Sequence, residues 1–420
     1  MKNIILIVCF ILSMTAFTQK KFIWLHGLEG AKGPNTWDIY QQYLTATNGF
    51  IIEYPSDNTI AGIANKLYLN DIKTIAFDND LVIIAHSMGG LVARSLTGLS
   101  PKIKGIITVG TPNSGSVLLK NTLSGKTYDF FHQAIRMASG AVDNSLLSGI
   151  FSGFPVTTIA APIVIPITIF KNSTRDGVLT SLKIVLQTGM GIYALSHPCI
   201  RDMLPGSALL QHLNTKTDTV PHVNIYGAED NWQVVRAIGS LSKINDVKNP
   251  QYRDQSFDQE YVPKMQAGLV FISQIQQTHN LVYKALAVPA IFMPWIWLTR
   301  ELVLKARLEW DALYRYLDVG MHADFASNMG AVEYHLQDYC IPTGIDLQKL
   351  SCKKSYVPFI LENDGILSRQ DVISGMEHRE NIYNVRVLGV NHQEMGNHIE
   401  MRKLLEEIII NKKYGNAFSR

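Results

Sequence analysis

Residues 80 to 98 hold the most reactive arrangement in the chain. An apolar run, Leu81 to Ala85, ends in His86-Ser87-Met88-Gly89-Gly90, and a helical pattern follows at once. Strand, sharp turn and helix put Ser87 at the apex of a nucleophile elbow, its hydroxyl raised above the C-terminal edge of a sheet. The small residues two before and two after it, Ala85 and Gly89, let strand and helix pass closely. A serine hydroxyl alone is a weak nucleophile. It needs a histidine to take its proton and a carboxylate to orient that histidine. The chemistry on offer is acyl transfer.

With an elbow of this kind the expected chain order is Ser, then Asp or Glu, then His, each at the end of its own strand. Of twelve histidines, His392 is placed best, because it lies in the loop leaving the apolar strand Val385 to Gly389. His398, at the start of the last helix, is the alternative base. His26 and His86 flank motifs on other elements, and His86 is expected to position the turn. Two acids compete to orient the base. Asp364, in Asn363-Asp364-Gly365, follows the apolar segment Tyr356 to Leu361; Asp230 follows the strand His222 to Gly227. Taking Tyr356 to Leu361 as the strand beside the histidine strand gives Asp364 the shorter reach, since neighbouring strands lie about 5 Å apart. Asp230 is the alternative. The N–H of Met88, just after the serine, and of Leu28, in His26-Gly27-Leu28-Glu29-Gly30, are the candidate oxyanion donors.

The elements that must hold these residues alternate. The strand Lys21 to Leu25 is followed by the helix Trp37 to Thr47 and the strand Phe50 to Tyr54. Then come the helix Ile60 to Phe77, the elbow strand, its helix Gly89 to Leu99 and the strand Gly105 to Gly110. Continuous Val/Ile/Leu strands separated by helices predict an α/β fold with a mostly parallel sheet covered on both faces. Two stretches interrupt it, at about 117–219 and 233–352, and are expected to be cap or lid insertions, the second largely helical. Ile150 to Phe170 carries no charge, but Pro155, Pro162 and Pro166 divide it, so an apolar flap is favoured over a spanning helix. Within the second insertion, Ala285 to Leu298 holds Pro289, Pro294, Trp295 and Trp297 without a charge; interior packing and an interfacial role are both open.

The N-terminus reads as an export signal over residues 1–18. Lys2 supplies the positive end, Ile4 to Phe17 the apolar core, and Ala16-Phe17-Thr18 a cleavage site before Gln19. That core is short of the roughly 20 residues a spanning helix needs. The mature domain would run from 19 to 420, in a periplasmic or secreted setting. There a disulfide is permitted, and Cys340 with Cys352 is the favoured pair, leaving Cys199 as a lone buried thiol. A net charge of +3 over 420 residues, with no Lys/Arg run longer than two, offers no footprint for nucleic acid.

Together these pieces resemble the α/β-hydrolase superfamily, and within it bacterial secreted triacylglycerol lipases. The resemblance is carried by His26-Gly27-Leu28-Glu29-Gly30, Ala85-His86-Ser87-Met88-Gly89-Gly90, Gly110-Thr111-Pro112-Asn113-Ser114-Gly115-Ser116, Asn363-Asp364-Gly365-Ile366 and Asn391-His392-Gln393-Glu394. It implies Ser87, Asp364 and His392 as a triad, an oxyanion donor at Leu28, and a lipid or other ester as substrate, with no metal or organic cofactor required. The apolar caps would meet a membrane or lipid interface. The same triad also serves phospholipases, lipid deacylases and acyltransferases, and a non-catalytic lipid- or protein-binding relative is the reading from another class.

Overall fold

The computed structural model describes residues 20–28, 49–124, 126–127, 197–216, 220–229, 253–342, 350–377, 379–392, 394–396 and 398–419. Its centre is a six-stranded sheet built from β1 (Lys20–Leu25), β2 (Gly49–Ile52), β3 (Asp80–His86), β4 (Ile103–Val109), β5 (His222–Ala228) and a last strand, Ile382–Leu388. In space the order is β2-β1-β3-β4-β5 and then the last strand, every neighbour parallel. The chain leaves β1 to one side for β2 and returns to the other side for β3. That reversal makes the C-terminal ends of β1 and β3 a topological switch point, where ligands of such sheets gather.

The period of two along β3 feeds both faces. Leu81, Ile83 and Ala85 join one apolar cluster, while Val82 and Ile84 join the opposite one. Helix α1 (Ile60–Leu67) covers the first face with Ile60, Ile63, Ala64 and Leu67, a spacing that keeps all four on one stripe. Thr59 caps it by accepting from the Gly62 N–H, and it continues through a π turn, Tyr68–Ile72, to Ile75. Helix α2 (Met88–Leu96) lies on the same face. Its buried Arg94 donates to Asn113 Oδ1, the Leu213 carbonyl and Asn214 Oδ1, which fastens α2 to the segments that follow β4.

Those segments narrow the first insertion. α3 (Val117–Leu123), α4 (Pro198–Asp202) and α5 (Ala208–Thr215) place Leu119, Cys199, Ile200, Met203, Leu210 and Leu213 in the main core. The two ends of the stretch 117–219 are therefore body, not cap. The apolar stretch 150–170, the helix expected at 37–47 and the leader lie outside the described residues.

The described residues of the second insertion form a helical hairpin followed by a pair of antiparallel strands. α6 (Arg253–Ala285), the short α7 (Pro289–Phe292) and α8 (Pro294–Arg315) form the first part, and α9 (Met321–Asn328) docks on α3. Phe325, Ala326 and Met329 meet Leu118 there, and Asn121 Nδ2 donates to the Asn328 carbonyl at 2.9 Å. β6 (Val332–Pro342) and β7 (Leu350–Ile360) then pair antiparallel, from Val332 opposite Ile360 to Pro342 opposite Leu350. This corrects two expectations. Tyr356 to Leu361 does not join the main sheet, and the insertion ends at Ile360 rather than at 352. The apolar composition misled because these side chains are not core: Tyr356 and Phe359 are exposed. Pro358, which has no N–H to donate, suits a strand that pairs on one side alone among the described residues. The register sets Cys340 directly opposite Cys352.

After a short helix α10 (Arg369–Ile373), the last strand is β8 (Ile382–Leu388), and α11 (Ile399–Ile409) covers the second face of the sheet. Met401, Leu404, Leu405, Ile408 and Ile409 recur at helical spacing against Val82, Ile84, Ile107 and Val223.

Candidate active site

Ser87 sits between β3 and α2 with φ 53° and ψ −127°, a backbone region that L residues rarely occupy. Such a conformation costs about 1–3 kcal/mol and persists only when its surroundings dictate it. They do so on three sides. The Ser87 N–H donates to the Val109 carbonyl at 2.8 Å; its own carbonyl accepts from Gly90 N–H and from Thr111 Oγ1, each at 3.0 Å. The crossing is tight, as the spacing of small residues predicts. A Cβ on Gly89 would lie 2.3 Å from the His26 carbonyl oxygen.

His392 arrives in the loop after β8. Its Nε2 lies 3.0 Å from Ser87 Oγ, and its Nδ1 lies 2.8 Å from Asp364 Oδ2. A carboxylate can only accept, so Nδ1 carries the proton and Nε2 faces the serine hydroxyl with a free lone pair. Both His392 and Asp364 are buried. Asp364 is itself fixed, because its Oδ1 accepts from the N–H groups of Ile366 at 3.0 Å and Leu367 at 2.6 Å. The His392 N–H returns to the Asp364 carbonyl at 2.7 Å, so the two loops are joined by backbone as well as side chain.

The route by which Asp364 reaches the site differs from the expected one. The strand next to β8 is β5, and Asp364 comes instead from the turn that follows the β6–β7 hairpin. That turn is pinned to the end of β5 by Glu229 N–H donating to the Asn363 carbonyl, and closed by a bridge between Asn363 and Ser368. Ser368 and Asp371 then form a capping box on α10. Burial pushes the Asp371 carboxyl up to about 7, with the nearby Asp364 adding to the same direction. The alternative acid, Asp230, lies outside the described residues. The alternative base, His398, is occupied otherwise: its ring accepts from Glu400 N–H as the N-cap of α11.

His86 does more than shape the turn. Its Nε2 donates to the His392 carbonyl at 3.0 Å, and the two rings lie 4.8 Å apart. Burial lowers its pKa to about 3, with the neighbouring His392 also lowering it, so the ring stays neutral. On the other side, a Cβ on Gly27 would lie 2.9 Å from Ser87 Cβ, which brings the loop carrying Leu28 against the nucleophile. His26 holds that loop. Its Nε2 accepts from Tyr54 N–H at 3.1 Å, which leaves Nδ1–H to donate to the Gly27 carbonyl at 2.7 Å. The Tyr54 hydroxyl donates to the His26 carbonyl, and the rings stack at 4.1 Å. Sequence reasoning missed Tyr54. The only signal was an aromatic at the end of the β2 segment, and nothing local marks it as a partner of His26. Met88, the other candidate donor, is the first residue of α2 and is buried.

Comparison with known proteins adds the following. Residues 41–154, about a quarter of the chain and including Ser87, match the PGAP1-like alpha/beta domain family. No protein with a curated description matches the chain. Among solved structures, phospholipase PlaB from Legionella pneumophila is similar at 20% identity and a TM-score of 0.21, covering 24% of this chain and 27% of that one. PlaB in complex with thio-NAD is similar at 16% identity and a TM-score of 0.31, covering 51% and 39%. The chain thus spans well under half the length of the PlaB chains it matches. The parallel sheet, the elbow at its switch point and the family match identify the fold as that of the α/β hydrolases.

Proposed function

We propose that the protein is a serine hydrolase that cleaves carboxyl esters of lipids through an acyl-enzyme. One observation carries the reading, the unbroken line Ser87 Oγ, His392 Nε2, His392 Nδ1, Asp364 Oδ2 at the ligand-binding edge of the sheet. His392 takes the hydroxyl proton as Ser87 Oγ attacks the ester carbonyl. Asp364 holds the tautomer and stabilises the imidazolium. The oxyanion is met by the N–H groups of Leu28 and Met88. First-turn N–H groups of a helix have no intrahelical partner, and the positive end of the α2 dipole favours the developing charge. Collapse of the intermediate releases the alcohol, which takes its proton from His392. Water, deprotonated by the same imidazole, then frees the acid and restores Ser87. Every step uses groups of the chain itself and one water.

The lipid preference rests on the resemblance to lipases and on the apolar insertions. The same machinery would act on a triacylglycerol, a phospholipid or a lipid-anchored molecule, or pass the acyl group to another acceptor if water were kept out. We place the mature protein outside the cytoplasm, after cleavage before Gln19; N-terminal sequencing of the protein from culture checks this.

A fluorophosphonate probe tests the nucleophile. Labelling of the parent and none of Ser87→Ala supports a hydrolase, whereas a folded parent that takes no label favours a binding module. An ester chain-length series tests the substrate. Preference for acetyl over long acyl groups, with no rise in rate above the solubility limit, would refute the lipase version.

A further inference from the structure

The helical hairpin of the second insertion ends in a tip that the ester chemistry does not use. Gln276 Nε2 donates to Asp311 Oδ1, Arg307 Nη1 to Asn280 Oδ1, and Arg300 stacks over the Tyr283 ring at 4.2 Å. Partners that rise along α6 while falling along α8 make the helices antiparallel. They carry their own cores: Ile272 and Ile275 against Trp310 and Leu313, and, nearer the tip, Leu286 against Ile296 and Val303. The hairpin therefore has no need of the tip's remaining apolar side chains for its packing.

Those side chains face water. Ala285 to Thr299 contains no charged residue. Within it Val288 is 67% exposed, Ile291 75% and Trp297 54%, with Met293 and Leu298 exposed beside them. Pro289 and Pro294 open α7 and α8, so the chain reverses within an apolar knob. Immediately below it stand Lys284 and Arg300, then Lys305 and Arg307, against one acid, Glu301. An apolar end with an indole, above a collar of cations in which Lys284 and Lys305 are exposed on flexible stems while Arg300 and Arg307 are held against Tyr283 and Asn280, has the layout of an interfacial anchor: apolar groups enter the acyl boundary while cations stay among phosphates. Basic residues close to an anionic membrane surface are drawn to it, and the attraction fades within a Debye length. The knob is too small to cross, and among the described residues no helix is long and apolar enough to span a membrane.

We propose that the tip at 285–299 docks on a lipid bilayer bearing anionic head groups, as a surface anchor separate from the hydrolytic site. The sign of the collar selects this occupant. Two copies meeting tip to tip would bring the two collars together and repel, whereas a bilayer rich in phosphatidylserine or phosphatidylglycerol is complementary to them.

The test uses the full chain carrying Ser87→Ala, so that docking is read without turnover. Flotation with phosphatidylcholine vesicles, with and without about a third phosphatidylserine, is compared for this protein and for added Ile291→Asp or Lys284→Glu plus Lys305→Glu. The expected result is at least a tenfold loss of partitioning for Ile291→Asp on both vesicles. The charge-reversed protein is expected to lose only its preference for the anionic vesicles. Hydrolysis of a short soluble ester by Ile291→Asp in the Ser87 background should be unchanged, which separates loss of docking from loss of fold or chemistry. Unaltered flotation of Ile291→Asp would overturn the proposal. So would light scattering in which the parent is an oligomer that Ile291→Asp dissolves while neither protein floats.

Discussion

Replacing Asp364 by asparagine changes one atom and should remove most of the activity. Asp364 Oδ1 accepts from two N–H groups, the half-buried Ile366 at 3.0 Å and the buried Leu367 at 2.6 Å, while Oδ2 faces His392 Nδ1 at 2.8 Å. In the asparagine variant the single oxygen has to choose. Turning it toward His392 would leave the buried Leu367 N–H and the half-buried Ile366 N–H facing an NH₂, and a buried unsatisfied group alone costs about 1–3 kcal/mol. Oxygen therefore stays with Ile366 and Leu367, and the amide NH₂ points at Nδ1. Nδ1 must then accept, so the imidazole proton moves to Nε2. There it meets Ser87 Oγ as a donor, and no lone pair remains to take the hydroxyl proton. A wrong tautomer in an otherwise intact triad costs about 10⁴ in kcat, or about 5.5 kcal/mol of barrier. The assay is kcat on p-nitrophenyl butyrate at pH 7, with the fluorophosphonate labelling rate alongside and circular dichroism to show retained fold. Asp230→Asn and His398→Asn are run in parallel. A loss below tenfold for Asp364→Asn, or an equal loss for Asp230→Asn, would refute the assignment.

Other expectations follow from single contacts. Ser87→Gly should melt higher than Ser87→Ala, by roughly 1 kcal/mol of stability, because glycine occupies φ 53° without strain; denaturant titration of both variants checks it. His86→Phe keeps the bulk but removes the donor to the His392 carbonyl. It should lower kcat by about ten- to a hundredfold through misplacement of the base, with KM little changed. The Asp371 carboxyl is raised to about 7, so its contribution to stability is present below the ordinary range near 3.8 and is lost as pH rises through 7. Asp371→Asn should thus gain over the parent in melting temperature at pH 8 and converge with it near pH 4; a constant offset would contradict this. His86 and His222, both lowered by burial to about 3, act with the opposite sign, and their contribution fades as pH falls from 6.5 toward 3. Finally, the facing register of Cys340 and Cys352 favours a disulfide in an oxidising compartment. Thiol titration of the exported, denatured and unreduced protein should find one free thiol, Cys199.

The parts of the site that a sequence displays are those whose constraints are local. The elbow is such a part, because strand, turn and helix run through it in one stretch. His392 is legible for a related reason: Val385 to Leu388 reads as a strand, and the candidate base follows within a few residues. The turn residues and the family resemblance both point to Asp364, which the structure sets beside His392, while the strand argument for it fails, because Tyr356 to Leu361 lies outside the main sheet. Composition cannot distinguish a buried parallel strand from an exposed antiparallel one when both are apolar, and Tyr356 to Ile360 is the second kind. Pairing is a property of two segments, and β6, its true partner, lay inside a stretch read as helical. The contacts of Tyr54 with His26, of Thr111 with Ser87, and of Arg94 with Asn113 and Asn214 have the same character. Each joins residues that only the sheet's crossovers bring together.

The position of the candidate acid, directly after an insertion, has a structural consequence. In a site where the acid ends a sheet strand, the insertions could be trimmed without touching the triad. Here the segment that carries Asp364 leaves the β6–β7 hairpin directly, and Leu361 N–H still donates to the Ala331 carbonyl at the hairpin's base. Ala331 belongs to the cluster of Phe325, Met329 and Leu118 that seats α9 on α3. Glu229, at the end of β5, ties the far side of the turn to the sheet. Asp364 is thus held between the body and the insertion, and its 2.8 Å contact with His392 depends on how α9 docks. Whatever shifts the insertion at this seat moves the Asp364 carboxylate relative to His392. Phe325→Ala, far from any substrate, should therefore lower kcat beyond its cost in stability, whereas a truncation of the same size on the outer face of α11 should not.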